Sequence, residues 1–235
     1  MINNTSWVNN SRLTAPFINL LKGTNDPRIS TYAMLPGSTS SYVNGDKTPA
    51  NQKGYPMFGQ AAEPRSTFST SNKNTFGKYD APYIHLSYAQ VQFQLAELTV
   101  RGVISADAQS YYESGVVAAM KQLYVYGPEG EISEAQIENY LLENPYAPSN
   151  QEDALKLINT QYWIEAHFNW YELFANMRRS GYPDLYRTEA SAAGYQLPKR
   201  LTYPSSEVSI NPKLQDAVSR QGADVVTTAV WWDVD

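Results

Sequence analysis

The chain has 235 residues, 17% of them charged, with a formal net charge of −5, no Cys, 18 Tyr and 5 Trp. That length can bury a core without disulfide or metal staples, and the lack of Cys excludes disulfides, thiol nucleophiles and Cys-based metal sites. A mildly acidic chain with no basic run excludes phosphate-driven nucleic-acid binding, and no apolar run approaches the ~20 residues of a membrane-spanning helix.

The first residues, Met1-Ile2-Asn3-Asn4-Thr5, are neither basic nor apolar, so any export signal is expected upstream of them. Residues 1–80 read as irregular, punctuated by runs such as Thr24-Asn25-Asp26-Pro27 and Tyr42-Val43-Asn44-Gly45-Asp46. Their aromatics, Tyr32 to Tyr79, argue against disorder, because disordered segments are aromatic-poor. A helix is expected over 82–101, entered at Asp80 and Pro82 and closed at Gly102. A second is expected over 105–126, capped by Ser105, with Val116, Val117, Met120 and Leu123 on one face. Ser133 and Gln136 form a capping box for a helix over 133–144. Asn150 and Asp153 open a long helix over 151–179, ended by Gly181 and Pro183, with Leu155, Ile158, Tyr162, Trp163, Phe168, Leu173 and Phe174 as broad apolar faces. Residues 182–210 read as loop, and Asn211-Pro212 starts a short helix that Gly222 stops. Helical hairpins follow, with little strand.

His85 and His167 are the only histidines; both are expected in helices, and their separation matches no metal-ligand spacing. Glu63, Asp80, Glu97, Glu165 and Glu172 are the carboxylates weighed for glycoside hydrolysis, which needs two carboxyls flanking one bond. Glu165 and Glu172, two turns apart on the expected long helix, read as solvated or arginine-paired. No cofactor fingerprint or catalytic motif appears, and no metal or cofactor is expected.

Three blocks then carry a resemblance. The first runs from Ile158-Asn159-Thr160-Gln161-Tyr162-Trp163-Ile164 through Asn169-Trp170-Tyr171-Glu172 to Arg178-Arg179-Ser180-Gly181-Tyr182-Pro183. The second is Pro198-Lys199-Arg200-Leu201-Thr202-Tyr203-Pro204-Ser205-Ser206-Glu207 with Asn211-Pro212. The third is Gln221-Gly222-Ala223-Asp224, Thr227-Thr228 and Trp231-Trp232-Asp233. In this order and spacing they resemble the C-terminal half of the SusD/RagB family, and Ala89-Gln90 to Ala96-Glu97 resembles that family's Ala-Glu helix. The resemblance implies a mainly α fold of tetratricopeptide-like helix pairs with long irregular loops. On that reading the whole chain, 1–235, is the C-terminal part of one SusD-like domain, with a loop-rich ligand-side region (1–80), a helical scaffold (81–180) and a C-terminal loop and anchor (181–235).

The same resemblance implies a non-catalytic lipoprotein on the outer face of the outer membrane. Its expected partners are an oligosaccharide ligand and a SusC-like TonB-dependent transporter. Its membrane contact is expected through an N-terminal lipid anchor absent from this chain. Sugar binding needs flat apolar faces beside hydroxyl-bonding groups, which Tyr and Trp with Asn, Gln and Asp supply. Aromatics and amides interleave from Tyr42 to Tyr79, and Tyr42, Tyr55 and Phe58 are the expected ligand contacts. The other reading is a helical-repeat protein-interaction module without a sugar ligand. A concave pocket from these loops favours the first, and one flat aromatic patch the second. Trp163, Arg178, Arg179, Tyr182, Trp231 and Trp232 are expected to be structural, with at least one of the last two tryptophans in the core.

Overall fold

A computed structural model describes residues 11–36, 45–59, 61–196 and 198–233. Tyr42 lies outside the described residues. The expected mainly helical architecture is what the chain adopts. Its α-helices are α1 (Ala15–Gly23), α2 (Ile29–Tyr32), α3 (Tyr88–Val100), α4 (Ala108–Lys121), α5 (Glu134–Glu143), α6 (Gln151–Glu165), α7 (Trp170–Ser180), α8 (Leu185–Ala192), α9 (Ser205–Ile210) and α10 (Leu214–Gln221). Among the described residues, strand is confined to β1 (Ala33–Met34) paired antiparallel with β2 (Thr70–Ser71), plus isolated bridges.

The caps explain most helix starts. Ser133 and Gln136 form the expected capping box, and the Asn150 side chain accepts from the Asp153 N–H at 2.9 Å. Three expectations need correction. Helix α3 starts at Ser87 rather than near Asp80. Ser87 Oγ accepts from the Gln90 N–H and Gln90 Oε1 accepts from the Ser87 N–H, a capping box that Pro82 cannot match. His85 therefore sits in the exposed approach loop, edge-on to Tyr83 at 4.7 Å, and not in a helix. Helix α4 is capped by Asp107, not Ser105. The span 182–210 is not all loop, since α8 and α9 lie within it.

The expected long helix over 151–179 is broken. α6 ends at Glu165, and α7 starts at Trp170 under an Asn169 cap that accepts from the Glu172 N–H. Between them Phe168 has φ +74°, a conformation that costs a non-glycine residue about 1–3 kcal/mol. His167 thus lies in the joint, not in a helix. Gly181, at φ +77°, closes α7 in the left-handed conformation.

Two cores share α6. One is formed by α3, α4, α5 and α6 around Phe93, Tyr112, Val116, Met120, Ile137, Tyr140 and Ile158. The other joins α1 and α2 to α6 through Phe17, Ile18, Tyr32, Trp163 and Ile164. Trp163 is core, as expected. The C-terminal tryptophans are not: Trp231 is 89% exposed, and Trp232 lies half exposed against the Arg178 guanidinium at 4.8 Å. The strip ends in a turn, so neither indole is carried inward.

Candidate functional site

The break between α6 and α7 builds a cavity of about 300 Å³. Its sides are the 76–84 segment, the 3₁₀ turn at 122–126 that continues α4, and the 165–170 joint. The segment wall is held in place by Lys78, whose Nζ donates to the Tyr126 carbonyl at 2.9 Å. Phe76 packs 4.3 Å from Tyr126 and 4.5 Å from Phe168, so three ring systems form one apolar wall. The unusual φ of Phe168 is what turns its ring to this side of the joint while Asn169 restarts the helix. At the rim, Tyr79, Tyr83 and Trp170 are exposed. Trp170 stands edge-on to Phe168 at 5.9 Å.

Two polar groups interrupt the apolar lining. Glu165, buried and 7% exposed, ends α6. Its Oε1 accepts from Ser87 Oγ at 2.7 Å and from Gln122 Nε2 at 2.9 Å, whereas its Oε2 is buried without a hydrogen-bond partner. Desolvation pushes this carboxyl above the usual carboxylate range, against the lowering effect of those bonds. It is neither solvated nor arginine-paired, which corrects the expectation. The second group is His167, stacked on Phe17 at 4.1 Å and edge-on to Phe168 at 4.3 Å. Burial among these rings lowers its pKa to about 3, so it is a neutral imidazole, and its Nε2 has no partner.

Glu165 is the sole carboxylate among the described residues lining this cavity. The described residues contain no cluster of three His, Asp or Glu fit to hold a metal ion. Glu172, its expected neighbour on one helix, lies on α7 and accepts from the Tyr162 hydroxyl at 2.6 Å. Glu97, by contrast, is arginine-paired, through Arg179 and Arg101.

Of the sequence-derived contacts, neither Tyr55 nor Phe58 lines this cavity. Tyr42 is outside the described residues. Tyr55 exchanges backbone hydrogen bonds with the start of α1 and packs edge-on to Phe68 at 5.0 Å with Arg65 over its ring. Phe58 stacks on Tyr195 at 5.0 Å, beside a broader depression of about 790 Å³ that Tyr195 lines. That depression is larger, but its bordering charges are engaged: Arg179 with Glu97, Lys199 with Asp233 and Tyr182 with Glu152. The cavity is smaller yet aromatic-walled, with unpartnered polar atoms on residues that line it, which is the chemistry a ligand site needs. Among the described residues of the expected 42–79 region, only the end, Phe76 to Tyr79, reaches the cavity. The joint residues were missed, although Asn169 with Glu172 three positions later is a helix-start pattern.

Comparisons with known proteins agree with this architecture. The profile of a SusD-like family, described as starch-binding and associating with the outer membrane, matches residues 2–204. Among solved structures, a chitin-binding protein superposes with a TM-score of 0.74 at 32% identity, over 95% of this chain and 50% of that one. A SusD homologue from Bacteroides fragilis gives 0.75 at 28% identity, over 97% and 53%. A SusD-like protein of the Bacteroidetes gives 0.76 at 26%, over 97% and 55%. The chain thus spans about half the length of these relatives. No match is found among curated proteins.

Proposed function

This chain belongs to the SusD/RagB family, and from that premise we propose that it binds a saccharide in the cavity at the α6–α7 joint, without turnover, at the outer-membrane surface. The observation that carries this reading is the aromatic wall of Phe76, Tyr126 and Phe168 with the Trp170 rim beside a single buried carboxylate. Ring faces stack on the apolar face of a pyranose, and Glu165 accepts from a hydroxyl. One carboxylate cannot supply the acid and base or nucleophile of glycoside hydrolysis, which supports binding without cleavage. The starch-binding family and the chitin-binding relative support a polysaccharide of glucose or N-acetylglucosamine units as ligand. The concave form of the site favours a sugar ligand over the flat patch expected of a protein-interaction module.

On this reading the chain is the C-terminal part of a surface lipoprotein that hands its ligand to a SusC-like TonB-dependent transporter. Hand-over favours weak binding, micromolar to millimolar, or about −4 to −8 kcal/mol. Native outer membranes carrying the parent lipoprotein should yield the transporter on pull-down; consistent recovery of the lipoprotein alone would refute the partnership.

Calorimetric titration with starch- and chitin-derived oligosaccharides tests the site. Trp170→Ala, at the rim, is expected to weaken binding about tenfold, ~1.4 kcal/mol. Tyr55→Ala and Phe58→Ala are the comparison. If they abolish binding while Trp170→Ala binds as well as the parent, the ligand lies on the Phe58–Tyr195 side and the cavity assignment is wrong.

A further inference from the structure

We infer that the cavity selects a saccharide bearing a primary ammonium group, read by the free oxygen of Glu165. The inference rests on the cavity being the ligand site, and it adds a ligand class to that reading.

The charge balance around Glu165 is the starting point. Its carboxyl is held by neutral donors, Ser87 and Gln122, with the Gln90 side chain beside it; it forms no salt bridge among the described residues, and the buried Arg28 acts on it as a more distant positive charge. Among the described residues Lys78 is the one Lys or Arg lining the cavity, and its Nζ is committed to the Tyr126 carbonyl. A buried carboxylate without a cationic partner is costly, because desolvation penalises the charge. Burial disfavours the charged form of Glu165, and its Oε2 stands unpartnered. A hydroxyl donor would satisfy the lone pair but bring no countercharge. An ammonium group does both.

The surroundings suit the same cation. Phe76, Tyr126 and Phe168 line the cavity, and an aromatic ring attracts a desolvated cation placed over its face. His167 adds a second unpartnered polar atom. It is neutral, one nitrogen of a neutral imidazole carries no proton, and its Nε2 is also buried without a partner. An ammonium group has three donors and no acceptor, so it matches the Glu165 carboxylate oxygen better than an acetamido or hydroxyl group does. Amino sugars with free amines are the saccharides that carry this group.

The test compares three ligands of equal length on the full chain: an oligomer of glucosamine, the same oligomer fully N-acetylated, and a β-glucan oligomer. Titrations are run where the amine is protonated. The glucosamine oligomer is expected to bind about tenfold more tightly than either neutral ligand. In Glu165→Gln its affinity is expected to fall to the level of the other two. Equal affinity of the parent chain for all three ligands overturns the inference without any variant, so a folding defect cannot mask the result. A preference that survives Glu165→Gln also overturns it. Trp170→Ala separates this failure from failure of the site. If it weakens all three ligands while the parent shows no amine preference, the cavity stands and only the ammonium assignment falls. If it weakens none, the cavity itself is the wrong place and both readings fall.

Discussion

The Glu97 carboxylate ties three helices at one point. It accepts from Arg179 at 2.8 Å, from Arg101 at 2.8 Å and from Asn159 at 3.1 Å. Burial alone would raise its pKa, but the bonds from Arg179 and Arg101 outweigh burial and hold it at about 2. A carboxyl depressed from 4.5 stabilises the fold above 4.5 and loses that contribution as pH falls toward 2. Both arginines are half exposed, so Glu97→Gln is expected to cost a modest amount, about 1–2 kcal/mol near neutrality. Urea unfolding of both proteins across pH checks this: the difference should shrink below pH 4.5, and a constant difference would show that the charge is irrelevant. His167 adds to acid sensitivity in both proteins. Between its unfolded value of 6.5 and about 3 the unfolded chain binds a proton that the buried imidazole does not. The burial of Trp163 in the core was legible from the sequence; the pairing of Glu97 with Arg179, 82 positions away, was not. The partnerless burial of Glu165 was not either, because α6 is buried on several faces at once, from Gln161 to Glu165, and periodicity gives no polar side to read.

Helix α3 meets α4 where glycine removes a side chain. A Cβ at Gly115 would stand 2.6 Å from the Phe93 ring, so the two helices approach at a distance that only glycine permits there. Gly115→Ala gains helix propensity but must displace a fully buried ring. It is expected to destabilise by about 1–3 kcal/mol, and a higher melting temperature would contradict that close approach. Helix existence followed from capping residues and apolar spacing, and α5 matched its capping box closely. The boundaries that failed were decided by rival caps: Ser87 with Gln90 over Asp80 with Pro82, and Asp107 over Ser105. The joint at 166–169 was hidden because its apolar residues continue the helical pattern on either side. Asn169 and Glu172 were the visible sign, and reading them would have brought His167 and Phe168 out of the helix and toward the cavity. Tyr42, Tyr55 and Phe58 were chosen by region. What draws a loop aromatic to a cavity or to a neighbouring ring is long-range packing, which local pattern does not encode.

Across the whole molecule, the two cores are joined by α6 and by a buried ion pair. Arg28 and Asp26, both fully buried as side chains, bond each other, and Arg28 Nη2 also donates to Gln161 of α6 at 2.8 Å. Gln161 in turn donates to the Tyr140 hydroxyl at 2.8 Å, so the segment before α2 is linked to α5 through α6. Removing one partner of such a pair leaves an uncompensated buried charge. Asp26→Ala is therefore expected to cost about 3–5 kcal/mol, and a loss below 1 kcal/mol would show that the pair does not join the cores. The family and the mainly helical fold were legible from ordered sequence blocks and caps. The cavity was not, because it is made where three separated segments meet. Its role is tested most directly by a crystal structure of the chain with an oligosaccharide bound. The expected result is a sugar ring against Trp170 and Phe168 with a polar substituent bonded to Glu165 Oε2. A ligand seated on the Phe58–Tyr195 stack, with the cavity holding only water, would contradict it.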